Sequence, residues 1–203
     1  MKKVIMCLGN IDSLPTIDAD VIGVDYGAEF LAINKVPMVL AVGDFDSTDK
    51  LDLIKKYANE VIVLDSSKNE TDSEVAIKWA MNYYDCIDVY GGLGGRLDHE
   101  YANISLLIHR KYPLTFYNDN NKLFYLESGT YILAKDDYRY ISFFPVVDSV
   151  ISISGVKYPL TNANLKMGDI YTISNEIISN TMTLELDGEL LANQSNDKGT
   201  KKG

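Results

Sequence analysis

The chain has 203 residues, 46% of them hydrophobic, and a formal net charge of −10. That length supplies one large core or two small ones, and the negative balance argues against a nucleic-acid or anionic-membrane partner. No apolar run approaches the ~20 residues that span a bilayer, and Cys7, Cys86, His99 and His109 do not fall at zinc-site spacing.

Met1-Lys2-Lys3 and the apolar residues after it mimic the start of a signal peptide. The run breaks at Gly9-Asn10-Ile11-Asp12 without a small-residue cleavage site, so Lys3–Leu8 reads as a first strand. Further strands are expected at Val21–Val24, Met38–Val42, Val61–Leu64, Ile87–Tyr90 and Leu114–Tyr117, and helices at Ala28–Asn34, Lys50–Ala58, Thr71–Tyr83 and Asp98–Lys111. Strand and helix alternate, which predicts an α/β fold: a Rossmann-like parallel sheet over residues 1–120. Both cysteines fall in predicted strands and are expected as buried thiols in a reducing, cytoplasmic setting.

After the polar break Asn118-Asp119-Asn120-Asn121 the texture changes. Leu123–Leu126, Tyr131–Ala134, Tyr138–Phe144, Val150–Ile153, Val156–Tyr158, Ile170–Ile173 and Thr181–Leu186 are short, β-branched or aromatic, and separated by turn residues. This predicts an all-β sandwich, or a barrel, over 121–195. From Gln194 on there is no apolar anchor, and 196–203 reads as a disordered tail.

Four strand ends in the first half carry polar signals. Asp25-Tyr26-Gly27 follows the second strand. Gly43-Asp44-Phe45-Asp46-Ser47 follows the third; in extended backbone Asp44 and Asp46 point to one side, where a hard divalent cation such as magnesium relieves their repulsion. Gly, Asp and Ser are also ordinary turn residues. Lys68-Asn69-Glu70-Thr71-Asp72 follows the fourth strand, with Thr71 and Glu74 spaced as a capping box. Gly91-Gly92-Leu93-Gly94-Gly95-Arg96-Leu97-Asp98-His99 follows the fifth. Its bare N–H groups, the helix start behind them and Arg96 suit phosphate, although it is neither a Walker A loop nor the usual dinucleotide fingerprint. Asp98 is placed to cap that helix, Leu97, Tyr101, Ile104 and Ile108 form its expected core face, and His99 and Asn103 share a polar face with Arg96. A parallel sheet brings all four loops to one edge, where such folds bind ligands. Carboxylates, glycine N–H groups, Arg96 and Lys68 together predict a site for a nucleoside triphosphate and its metal.

These motifs, Gly43-Asp44-Phe45-Asp46-Ser47, Lys68-x-x-Thr71-Asp72 and Gly92-x-Gly94-Gly95-Arg96-Leu97-Asp98-His99 with Asn103 behind, resemble those of the thiamine pyrophosphokinase family. Tyr158-Pro159-Leu160 and Ile173-Ser174-Asn175-Glu176 are similar to its sandwich half. The resemblance implies magnesium-dependent transfer of pyrophosphate from ATP to the thiamine hydroxyl, releasing AMP, by a homodimer that holds thiamine between the first domain of one subunit and the sandwich of the other. It implies that Asp44, Asp46 and Asp72 hold magnesium and orient the hydroxyl. It assigns ATP to Arg96, Asp98, Lys68 and the glycine loop (Gly92, Gly94, Gly95), with Asp25, Gly27, His99 and Asn103 around the nucleotide, and thiamine to Ser174 and Asn175. Two positions depart from the family pattern: Asn69 stands where Asp is common, and Tyr26 where the early loop has its first glycine. A related transferase acting on another alcohol, and a non-catalytic thiamine or nucleotide sensor, are the competing readings.

Overall fold

A computed structural model describes residues 1–9, 11, 15–65 and 70–197. The chain divides into two compact units, Met1–Ile104 with Pro113–Asn118, and Ser105–Tyr112 with the chain from Asp119 onward. Residues 105–112, which include the end of one helix, group with the second unit.

The first unit is built from β1 (Lys3–Cys7), β2 (Asp20–Val24), α1 (Tyr26–Ile33), β3 (Met38–Gly43), α2 (Leu51–Tyr57), β4 (Ala58–Val63), α3 (Asp72–Ala80), β5 (Cys86–Tyr90), α4 (Leu97–Arg110) and β6 (Leu114–Tyr117). Its strands are parallel, in the order β4-β3-β2-β1-β5-β6. The order reverses between β1 and β5, and a doubly wound sheet leaves its crevice there, outside the carboxyl ends. Apolar residues in the strands make this possible: Val4, Ile22, Leu40, Val42, Ile87 and Val89 are inaccessible. Among the described residues no helix joins β1 to β2, a departure from strict alternation.

Two helix expectations differ in the structure: the third helix ends at Ala80 rather than Tyr83, and the fourth does not bury the whole of its expected face. On α3, Ala76, Ile77 and Ala80 are buried, whereas Tyr83 is exposed just past the helix and packs on Trp79, ring centroids 4.7 Å apart. On α4, Leu97 and Tyr101 are 79% and 69% exposed, and the buried positions are Asn103 and Leu107. Apolar spacing marks a stripe, but the sheet selects which stripe it covers.

The second unit contains β7 (Asn121–Leu126), β8 (Gly129–Ala134), β9 (Tyr140–Pro145), β10 (Ser149–Ser154), β11 (Leu160–Leu165), β12 (Thr181–Asp187) and β13 (Leu190–Ser195). Antiparallel pairing gives β7-β13-β9 on one side and β11-β10-β12-β8 on the other. Ile141, Phe143, Ile151, Ile153, Leu184 and Ala192 form the core of this sandwich.

Two expected strands are not strands. Val156 makes only an isolated bridge to Ile177, and Ile170, Tyr171 and Ile173 are exposed in a turn that Thr172 anchors, its Oγ1 donating to the Phe143 carbonyl at 2.6 Å. Two strands were hidden by polarity. β11 carries Thr161, Asn162 and Asn164, with Asn162 at φ 46 beside a register shift; asparagine tolerates that backbone. β13 pairs with β7 on one side and β9 on the other, and its Gln194 is 2% exposed with Nε2 donating to the Ala134 carbonyl at 2.7 Å. Asn196 is also held, its N–H on the Asn120 carbonyl at 2.9 Å. The rest of the expected tail, 198–203, lies outside the described residues. Among the described residues no helix is long and apolar enough to cross a membrane.

Candidate active site

The first unit opens a cleft of about 840 Å³ at the carboxyl edge of its sheet. Leu8 and Gly9 follow β1, Asp25 follows β2, Asp44 follows β3, and Gly91 and Gly92 follow β5; all of them line it. Thr71, Asp72 and Ser73 reach it from α3, and Arg96, Asp98, His99 and Asn103 from α4 and the turn before it.

Asp25 precedes α1 with φ 48 and ψ −121, a combination suited to glycine. Its N–H donates to the Val42 carbonyl at 2.8 Å, which fixes it between β2 and β3. Gly43 makes room for its carboxylate: a Cβ there would lie 2.3 Å from Asp25 Oδ1. Gly27 serves packing instead. A Cβ at that position would lie 2.2 Å from the Cys7 carbonyl oxygen, and Gly27 does not line the cleft.

The extended Asp44-Phe45-Asp46 of the sequence reading is not present. Phe45 has φ 52, so the chain turns there, and the ring enters the core at 8% exposure. The Asp46 N–H donates to Asp44 Oδ1 at 3.3 Å. Asp44 lines the cleft; Asp46 is exposed and does not line it. Asp72 opens α3 behind Thr71, whose Oγ1 accepts the Glu74 N–H at 3.2 Å, half of the expected capping box. Lys68 lies outside the described residues.

The glycine loop is held from within. Gly91 and Gly94 have φ 80 and 87, so a turn of this shape needs them. Asn103, 8% exposed, donates from Nδ2 to the Gly92 carbonyl at 2.9 Å. Its side chain therefore shapes the loop rather than joining His99 on an open face. The Gly94 N–H donates to Glu100 Oε2 at 3.3 Å, so one of the expected bare N–H groups is occupied. Arg96 forks onto Asp98, Nε to Oδ1 at 3.1 Å and Nη2 to Oδ2 at 2.6 Å. Asp98 is the second residue of α4 rather than its cap, and accepts the His99 N–H at 3.0 Å. The guanidinium holds the Asp98 carboxyl down at about 2, with the His99 N–H adding to the effect. Gly94 does not line the cleft, whereas Gly92 and Gly95 do.

Residues 16–116 match the family model described as thiamin pyrophosphokinase, catalytic domain, and residues 130–191 match the one described as thiamin pyrophosphokinase, vitamin B1 binding domain. The thiamine pyrophosphokinase of Bacillus subtilis (strain 168) is 35% identical over 166 residues, 77% of this chain and 78% of that one. The chain belongs to the thiamin pyrophosphokinase family. A crystal structure of thiamine pyrophosphokinase from Bacillus subtilis superposes with a TM-score of 0.86 at 32% identity, covering 97% of this chain and 100% of that one. A thiamin pyrophosphokinase family protein from Enterococcus faecalis gives 0.88 at 27% identity, over 97% and 100%.

Within the stretch matching the family's vitamin B1 binding domain, Ser174 and Asn175 behave differently. Ser174 is exposed, has φ 56, and donates its N–H to Ser142 Oγ at 2.9 Å. Asn175 is 6% exposed and turned to backbone. Its Nδ2 donates to the Tyr158 carbonyl at 2.8 Å, and its Oδ1 accepts the N–H groups of Tyr158 and Glu176 at 3.1 and 2.9 Å. Asn175 thus ties a turn together.

The family's triphosphate chemistry raises the question of a metal. Among the described residues no three acidic, histidine or cysteine side chains converge to hold an ion by themselves. The described cleft lining nevertheless carries six carboxylates, on Asp25, Asp44, Glu70, Asp72, Asp98 and Glu100, against the single guanidinium of Arg96. A polyanion entering such a cleft needs cations with it. Magnesium binds through one or two carboxylates plus phosphate oxygens and water rather than in an all-protein cage, and this donor set fits that mode. Sequence reasoning overlooked Leu8-Gly9, Glu70 and Glu100 as lining. The signal available was a glycine directly after the first strand of a parallel sheet.

Proposed function

We propose that this chain makes thiamine diphosphate by transferring the pyrophosphoryl group of ATP to the thiamine hydroxyl, with release of AMP and with magnesium on the nucleotide. The observation that supports this most is that Asp25, Asp44, Asp72, the glycine loop and Arg96 line one cleft.

The thiamine hydroxyl attacks the β-phosphorus of ATP. The new oxygen–phosphorus bond forms as the bond from that phosphorus to the α,β-bridging oxygen breaks, and AMP leaves with that oxygen. The transition state demands alignment and charge stabilisation more than covalent catalysis. Arg96 and the remaining N–H groups of the Gly91–Gly95 loop bind phosphate oxygens. Asp98 pre-orients the Arg96 fork. Asp72, at the start of α3, orients the hydroxyl and takes its proton. Asp44 and Asp72, which line the cleft, would hold magnesium together with phosphate oxygens and water, and the ion would supply charge neutralisation on the phosphates. Asp25, Gly95 and His99 border the nucleotide, and Ser174 contacts thiamine. We also propose a homodimer and a cytoplasmic location.

Incubating the purified chain with ATP, magnesium and thiamine should give thiamine diphosphate and AMP in equal amounts. Replacing Asp44→Asn should lower turnover by about 100-fold or more, the scale of losing one preorganised charge contact. ADP in place of AMP, or no phosphorylated thiamine, would overturn the assignment.

A further inference from the structure

Among the described residues, the loop that carries Asp44 and Asp46 makes few hydrogen bonds within itself. Apart from the Asp46 contact to Asp44, the Thr48 N–H reaches the Phe45 carbonyl only at 3.5 Å. It carries three carboxylates, on Asp44, Asp46 and Asp49, and an excess of one charge sign disfavours a compact loop.

What restrains it is on another element. Glu29, in the first turn of α1 and 13% exposed, accepts the Thr48 hydroxyl on Oε2 at 2.5 Å and Lys50 Nζ on Oε1 at 2.8 Å. Thr48 Oγ1 in turn accepts the Lys50 N–H at 3.1 Å. Lys50 also pairs with Asp49 at 3.4 Å and precedes α2, where its carbonyl accepts the Ile54 N–H at 3.0 Å. One carboxylate therefore anchors the far end of the acidic loop to the helix whose start carries Asp25. The two acidic edges of the cleft, after β2 and after β3, are tied by Glu29.

We propose that Glu29, through Thr48 and Lys50, is a positioning residue that sets the Asp44–Asp46 loop for the metal–nucleotide complex; this rests on the functional reading above. Glu29 does not line the cleft. Its carboxylate shares out two hydrogen bonds that no apolar or neutral side chain of similar size reproduces.

The test uses Thr48→Val, Thr48→Ser and Glu29→Gln. Binding of Mn2+ in the presence of a non-hydrolysable ATP analogue is followed by electron paramagnetic resonance of the free ion, alongside steady-state kinetics and thermal melting. Thr48→Val and Glu29→Gln should weaken Mn2+ binding about tenfold, the scale of one charge-assisted hydrogen bond. They should lower kcat with the KM for thiamine unchanged, and Thr48→Ser should restore both. A Thr48→Val protein that binds Mn2+ and turns over like the parent overturns the proposal. So does a loss that follows the fall in melting temperature and is not restored by serine. A parent protein that binds no Mn2+ with the nucleotide overturns the functional reading itself, and the clamp with it.

Discussion

Gly92→Ala tests the glycine loop at the point where it meets the core. Gly92 does not have a left-handed φ, unlike Gly91 and Gly94, so its need for glycine is purely one of space. A Cβ there would lie 2.7 Å from both Cδ1 and Cε1 of Phe116 and 3.3 Å from Asn103 Nδ2. Phe116 is fully buried in β6 and has no open direction to retreat. Asn103 cannot yield without releasing the Gly92 carbonyl. Overpacking of this kind costs about 1–3 kcal/mol, and each kcal/mol moves the Tm of a chain this size by about 2–4 °C. Thermal melting by circular dichroism should therefore fall by about 2–12 °C, with turnover reduced further because the loop is pushed into the cleft. Gly94→Ala is the control. Its φ of 87 strains any other residue, but the nearest atom is Asn118 Nδ2 at 3.7 Å. Its cost is then backbone strain of about 1–2 kcal/mol, without a packing partner. Phe116→Leu should lessen the Gly92→Ala penalty and leave the Gly94→Ala penalty unchanged. Equal melting temperatures for Gly92→Ala and parent, or strict additivity with Phe116→Leu, would refute the steric argument.

Other changes probe the cleft and the sandwich. Asn103→Asp should reduce turnover and Tm more than Asn103→Ala, because it sets a carboxylate against the Gly92 carbonyl where Nδ2 now donates; melting and kinetics on both variants check this. Asp25→Gly should relieve about 1–3 kcal/mol of backbone strain at φ 48, ψ −121, raising or preserving Tm while turnover collapses. A fall in Tm would show the conformation to be unstrained. Asn175→Ala should lower Tm, since it removes two hydrogen bonds from a buried side chain to the Tyr158 backbone, each worth about 0.5–1.5 kcal/mol. For Asp98, whose carboxyl is held down at about 2 by Arg96, the favourable contribution is present above the ordinary carboxylate value and is lost as pH falls through about 2. The 13C carboxyl shift of Asp98 should thus stay ionised to about pH 3 in the parent and titrate near 4 in Arg96→Met.

Most of the first unit was legible because its rules are local. Short, mostly apolar strands followed by helices leave a parallel sheet as the arrangement that buries them, and a parallel sheet puts every strand's carboxyl end on one edge. Asp25, Asp44, Asp72 and the glycine loop could therefore be assigned to a common edge before any coordinates. The sandwich was less legible. Apolar alternation missed β11, whose Thr161, Asn162 and Asn164 are exposed, and β13, whose inward Gln194 donates to the Ala134 carbonyl, and it mistook the exposed apolar turn at Ile170–Ile173 for a strand.

Sequence by itself determined the α/β-then-β architecture, the family and the edge on which the acidic and glycine loops gather, because strand polarity and residue spacing survive as one-dimensional pattern. Tertiary structure alone decided which side chains face the cleft. The turn at Phe45 separates Asp46 from Asp44, the packing of Phe116 and Asn103 shapes the Gly92 backbone, and Glu29 reaches across from another helix to hold Thr48. Each of these depends on backbone φ or on a partner distant along the chain. Neither is encoded in the neighbours of the residue concerned.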